Sequence, residues 1–491
     1  MDTDAEREHA PESAADAPPP SDPPGASSGA GRRGAHARWL PRPLRGLPDR
    51  RPVLAWGMYD LANQSFTLLV NTLLFAVYFK EVVVGPGNPA RGDRLWALLV
   101  ASSMLVVVAV SPLLGAMADC RGRRKAFLIG SGVACVVLTA GLALVQPGQI
   151  LLAALLYIPA NIAYQLGENF LASFLPVVSS RRNIGRVSAI GWTMGYVGAL
   201  LLLLIAYAAI GPLGLSAPQQ WRPLFILTAG WFLIGMIAPM LALPEPPPAP
   251  APGGSILAAG FGRLARTIRD AGRFRQLGVF LVAFFVYGMG VQATIFFASI
   301  ITRGFGFSTV RLVEFYLTMT LVAAVSAILT SRFQDRIGTR TTVIVYLVIW
   351  ILSAGTLAVL SWTALPAQRV FWFVALGLGF GLGGIGTASR AMVGLFTPHH
   401  RTAEFFGLWG MAYKSSAVVG VAGFGLTKAA AGAGPALGVL TGFFVVGLAL
   451  VLCVNPRAGI RVAQRAERDE AKASGRGVAP PNRCSPTVPH A

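Results

Sequence analysis

Charge is what this sequence has least of. Only 13% of its 491 residues are Asp, Glu, Lys or Arg, while 54% are hydrophobic, and the mean hydropathy is +0.60. A soluble globular chain carries about 25% charged residues, so a water-soluble fold is excluded. Acids are scarcer than bases, 21 against 41, for a net charge of +20. The five histidines (His9, His36, His399, His400 and His490) avoid every long apolar run. No H-E-x-x-H motif, nor any G-x-S-x-G turn between strand and helix, supports hydrolysis. Cys120, Cys135, Cys453 and Cys484 show no spacing of a metal site or a disulfide framework. No catalytic residue, cofactor or metal is therefore expected, and an enzyme ranks last among the function classes.

Long apolar runs fill the rest. Runs of about 20 residues are long enough to cross a bilayer core of ~30 Å. They fall at roughly 54–79, 95–118, 126–145, 149–174, 187–210, 223–243, 277–301, 312–331, 341–361, 370–395, 404–427 and 434–454. The expected fold is an all-α polytopic membrane protein of twelve transmembrane helices in two six-helix bundles, 52–243 and 277–455. Between them, 244–276 begins as a Pro-rich linker. It continues as a basic amphipathic helix, with Phe261, Leu264 and Ile268 against Arg263, Arg266 and Arg269. Residues 1–51 and 456–491 are expected to be disordered tails, the first lacking any signal-peptide core.

Lys and Arg set the expected orientation. The loops on the side of 121–125 hold sixteen of them, and the loops on the other side hold eight. The positive-inside bias places both termini in the cytoplasm of a cell (inner) membrane. The net charge reflects this asymmetry and suits anionic headgroups; it is not read as a nucleic-acid surface.

Ionisable residues inside apolar helices are expensive and point to function. Asp60 lies near the start of the first helix with Asn63 on its side. The alternative for Asp60 is a carboxylate stabilised by the helix N-terminus. Glu168 ends the fourth helix, Arg390 lies in the tenth and Lys414 lies about ten residues into the eleventh. With Gln292 of the seventh, these form the candidate substrate and proton path. Arg390 can also snorkel to the headgroups. Gly191, Gly195 and Gly198 recur on one face of the fifth helix, a pattern that favours close packing over ligand binding. Gly379, Gly381 and Gly384 satisfy G-x-G-x-x-G, but no βαβ pattern surrounds them.

The chain is internally duplicated. Gly115, Asp119, Gly122, Arg123 and Arg124 sit in one short connection, and Asp335, Arg336 and Gly338 form a weaker copy 216 residues on. Gly191 and Gly407 keep the same offset, which argues for a repeated unit. The 115–125 stretch, the twelve helices and the 6+6 repeat resemble the major facilitator superfamily, whose signature reads Gly-x-x-x-Asp-Arg-x-Gly-Arg-Arg; Cys120 replaces its first Arg. Tyr59, Asp60 and Asn63, Gly191 with Trp192, Ser389 with Arg390, Glu404 to Leu408, and Lys414 to Ser416 resemble the branch typified by the fungal vacuolar amino-acid effluxers. Two positions depart from that branch. Gly288 and Met289 stand where it has Asn-Asp, and Ala172 stands where it has Asn. The resemblance implies alternating access, with Asp119 beside the start of the eleventh helix near Glu404, and with these loop residues as a conformational switch.

The leading expectation is a secondary active transporter exporting amino acids or similar small metabolites. Its partners are a small solute, protons as a candidate co-substrate and the bilayer, with the protein acting as a monomer. The alternatives are a proton-coupled drug or sugar carrier and a non-transporting receptor or scaffold.

Overall fold

The computed structural model describes residues 50–179, 184–245, 269, 274–363, 367–398 and 401–473. Among them there is no strand. In lipid a spanning segment must satisfy its own backbone groups, and apolar runs this long do so as helices. We number these α1 (Arg51–Val83), α2 (Pro89–Arg121), α3 (Arg124–Gly141), α4 (Ile150–Val178), α5 (Ile184–Ile210), α6 (Arg222–Ala242), α7 (Arg275–Gly304), α8 (Thr309–Ile337), α9 (Thr339–Leu360), α10 (Ala367–Phe396), α11 (Thr402–Ala431), α12 (Ala433–Leu452) and α13 (Pro456–Ala473). Eleven of the first twelve are long and apolar enough to cross a membrane. The exception is α11, which is 30 residues long but is made more polar by Lys414, Ser415, Ser416 and five glycines.

Packing repeats with a shift of six helices. In the first half α1 packs on α5 and α6, α3 on α4 and α6, and α2 on α4. In the second half α7 packs on α11 and α12, α9 on α10 and α12, and α8 on α10. The halves meet through α2 with α11, α5 with α8, and α1 with α7. The tight turns repeat too: Gly122 has φ +59° and Gly338 has φ +85°, a backbone region that strongly favours glycine.

The crevice between the halves opens at one end. We call the end bearing the α2–α3 turn the signature end, and the other the far end. On α2, Trp96, Val100, Ser103, Met104 and Val107 are buried, whereas none of residues 108–117 is. On α11, its neighbour across the interface, none of residues 406–413 is buried, whereas Lys414, Ser416, Ala417, Val421 and Phe424 are. The two helices therefore pack at the far end and separate toward the signature end.

The expectation of a disordered tail from residue 456 is corrected for Pro456–Ala473, which form α13. Ile460, Val462 and Ala466 pack on a cluster that includes Phe274, Phe280, Phe396 and Phe405. A Cβ on Gly459 would stand 2.5 Å from the Phe396 ring, so glycine lets α13 lie close on α10. This amphipathic helix covers apolar side chains at the signature end of the second half. The central amphipathic segment expected at 261–268 lies outside the described residues, as do the first tail up to residue 49 and residues 474–491.

Candidate functional site

The crevice ends in a polar cluster at mid-depth, built where α1, α4, α5, α10 and α11 converge. Polar residues recur on α1 every three or four positions at Asp60, Asn63, Gln64, Thr67 and Asn71, and on α4 at Asn161, Tyr164, Glu168 and Asn169. Such spacing places each set on one helix face, and the two faces zip together. Asn63 Nδ2 donates to Glu168 Oε1, and the Thr67 and Tyr164 hydroxyls meet. Further toward the far end, Asn71 Nδ2 donates to Asn161 Oδ1 at 3.0 Å and the Tyr157 hydroxyl donates to Asn71 Oδ1 at 2.9 Å. Asn161 Nδ2 in turn donates to Ser103 Oγ of α2 at 2.7 Å. Buried amides without partners are costly, so this ladder fixes α1 on α4. Through Phe66–Leu74, α1 is wound as a π-helix. That widened winding is often found at functional sites.

Asp60 sits against α5. A Cβ on Gly195 would lie 3.4 Å from Asp60 Oδ2 and 3.2 Å from Gln64 Cγ. Gly191 receives the Trp56 ring and Gly198 the Leu61 carbonyl. The small-residue face of α5 thus serves packing, and Gly195 makes room for the carboxylate.

The second half supplies the cations. Lys414, 8% exposed, crosses the interface to donate to the Gln165 carbonyl at 2.9 Å and to Asn169 Oδ1 at 2.6 Å. Asn169 Nδ2 is held by Ser111 Oγ at 2.9 Å. Arg390 also crosses, donating to Ser188 Oγ at 3.2 Å. Its guanidinium lies 5.0 Å from the Trp192 ring centroid and 5.7 Å from that of Trp409. Such contacts stabilise a cation away from bulk water. Arg390 therefore points into the interface rather than toward the headgroups. No ion pair within 4.0 Å joins Glu168 to Arg390 or Lys414 among the described residues. The charges still act on one another: Glu168 feels Lys414 and Arg390, and Asp60 feels Glu168 and Arg390.

Gln292 donates to the Tyr413 carbonyl at 3.3 Å, one residue from Lys414 and within the second half. Tyr287 bonds Ser389 Oγ at 2.7 Å. A Cβ on Gly288 would lie 2.8 Å from Ser416 Oγ, so α11 fills the space beside Gly288. Two buried polar atoms at the site have no partner among the described residues, Asn63 Oδ1 and Trp409 Nε1. Unsatisfied buried groups of this kind are rare. Both suit a solute.

The expected switch residues are spread over the signature end. Gly122 makes its left-handed turn, and the Lys125 amide donates to Glu245 Oε1 at 2.8 Å. In the second half Arg340 reaches the Leu452 carbonyl at 2.6 Å, closing the end of α12. Arg123 and Arg336 are exposed, and Arg124 lies in the first turn of α3. The side chains of Asp119 and Asp335 lie outside the described residues. Glu404 pairs with Arg401 of its own helix start at 2.7 Å. A Cβ on Gly115 would meet nothing within 4 Å, in keeping with an interface that is apart at this end.

A vacuole effluxer Atg22-like domain matches residues 95–464. The chain belongs to that family. It is 27% identical over 430 residues to an uncharacterized MFS-type transporter, YxiO, of Bacillus subtilis (strain 168), spanning 84% of this chain and 96% of that one. Autophagy-related protein 22 of Yarrowia lipolytica is 23% identical over 299 residues, 53% of this chain but about half (49%) of that protein. In fold, the chain is similar to the inward open conformation of the xylose transporter XylE from E. coli, with a TM-score of 0.62 at 13% identity, over 82% of this chain and 95% of the other. This Atg22-like chain is thus a multi-pass membrane transporter of the major facilitator type. Sequence reasoning named Asp60, Asn63, Glu168, Gln292, Arg390 and Lys414 and gave Trp192 only within the family resemblance, but missed Asn169, Gln165, Trp409 and the Thr67–Asn71 rungs. The three-to-four spacing of polar residues on α1 and α4 is the signal that finds the rungs.

Proposed function

We propose that the protein is a secondary active transporter that moves zwitterionic small metabolites, amino acids first among them, by alternating access. One observation carries this reading: the first half brings two carboxylates to the crevice, Asp60 and Glu168, and the second half brings two cations, Arg390 and Lys414. A solute bearing an ammonium and a carboxylate complements both halves at once. Its binding then favours bringing them together, which is the physical requirement for a solute-driven switch. The name of the family, vacuole effluxer, supports carriage of solute out of a membrane-bounded compartment. The excess of Lys and Arg on that end supports a cytoplasmic location for it and for both termini, in a cell membrane. A monomer suffices, since both halves of the site lie in one chain.

Counterflow into proteoliposomes tests the solute class. Zwitterionic amino acids should exchange, while their decarboxylated and deaminated analogues should not. Exchange of a sugar in place of zwitterions would overturn the reading in favour of a sugar carrier, and no exchange of any solute would favour a receptor. The same vesicles test Asp60 as the proton carrier. Asp60→Asn should abolish accumulation driven by a pH gradient and spare exchange, which moves no net proton. Accumulation that persists in this variant removes Asp60 from that role.

A further inference from the structure

At the far end, charged side chains of both halves converge around a cavity of about 160 Å³ lined by Val77, Lys80, Glu81, Ile300, Arg303, Gly304 and Lys428. Lys80 and Glu81 come from α1, and Asp93 from the start of α2; Arg303 ends α7 and Lys428 ends α11. Arg303 is satisfied: its Nε and Nη2 donate to the two Glu81 oxygens at 3.2 and 2.8 Å, and its Nη1 donates to the Phe307 carbonyl at 2.9 Å. The lysines are not. Lys80 and Lys428 share one carboxylate, Asp93, at 2.6 and 2.5 Å. Asp93 is 3% exposed, and the two ammonium-bearing side chains are 17% and 13% exposed. Each ammonium has three N–H groups and uses one of them here, so four donors have no protein acceptor among the described residues. Three cations face two carboxylates, leaving one positive charge in excess in a partly desolvated pocket.

We infer that this pocket binds a small inorganic anion of the size of chloride or phosphate, held by the unused N–H groups of Lys80 and Lys428. Two ammonium groups at one carboxylate repel each other, and an anion beside them removes that repulsion and takes charge-assisted hydrogen bonds. Because Lys80 belongs to the first half and Lys428 to the second, the bound anion ties the halves at the far end. It therefore favours the conformation seen here, closed at that end and open at the signature end. The site is separate from the mid-depth cluster and does not depend on which solute is carried.

Thermal unfolding of the purified full-length protein in detergent tests this. Chloride, and in a second arm inorganic phosphate, is titrated in place of gluconate at constant ionic strength, so that screening is held fixed. A ligand of the folded state raises Tm in a saturable way. Lys428→Gln balances the pocket at two cations and two carboxylates, and should raise the half-saturating concentration about tenfold or more. Glu81→Gln increases the positive excess and should lower it severalfold. A wild-type Tm indifferent to both anions overturns the site. So does a half-saturation unchanged in Glu81→Gln, and that variant alone decides should Lys428→Gln fail to fold.

Discussion

Lys414 reaches from α11 into α4, and removing its charge strips two partners at once. Lys414→Met leaves Asn169 Oδ1 and the Gln165 carbonyl without this donor, and leaves Glu168 facing less positive charge. Hydrogen bonds to charged groups contribute about 1.5–3 kcal/mol, so Tm should fall. Solute exchange should fall at least about tenfold, the equivalent of ~1.4 kcal/mol. Adding Glu168→Gln should recover part of the Tm, because a lone buried charge costs more than a balanced pair of deletions. It should not recover exchange. A double variant no more stable than the single one would show that Lys414 and Glu168 are not coupled. At this scale much was legible. Ionisable residues stand out in apolar runs, and depth along a helix follows from counting residues. What could not be read was which neighbour each would meet. Lys414 and Asn169 are 245 residues apart, and helical periodicity fixes a residue's face without fixing which helix that face meets.

Elements follow the same division. The twelve spans, the half-repeat and the two glycine turns at Gly122 and Gly338 could be read because each is a local pattern, or a local pattern seen twice. The α1–α4 ladder needed the observed pairing, and α13 was hidden by its charge, which resembles that of a solvated tail until its apolar stripe finds the Phe396 cluster. The packing face of α5 gives a sharp test. A Cβ on Gly198 would stand 2.3 Å from the Leu61 carbonyl oxygen, a backbone atom that cannot step aside. Gly198→Ala should therefore destabilise the first half by about 1–3 kcal/mol, the range for overpacking. Gly195→Ala meets only side-chain atoms at 3.2 Å and beyond, and should cost less. Equal Tm losses in the two variants would mean that α1 and α5 are not held in this close approach.

For the whole molecule, the glycines separate into those already in contact and those that are not. A Cβ on Gly420 or Gly425, toward the closed end of α11, would collide with α7, whereas Gly115 of α2 and Gly407 and Gly410 of α11 would meet nothing within 4 Å. The second group lies on the two helices that separate toward the signature end. Close approach of helices is what small residues permit, so these positions come together when the signature end closes and the far end opens. Gly115→Leu should leave the present conformation intact and block that closure. The readout is a cysteine placed at Ile300, which is 3% exposed and lines the far-end cavity, in a background without the native cysteines. In the otherwise unmodified protein, solute should speed its labelling by a membrane-impermeant reagent as the far end opens. With Gly115→Leu added, labelling should stay slow whether or not solute is present, and exchange should be lost while Tm holds. Solute-dependent labelling that survives Gly115→Leu would show that α2 and α11 do not close on each other at Gly115.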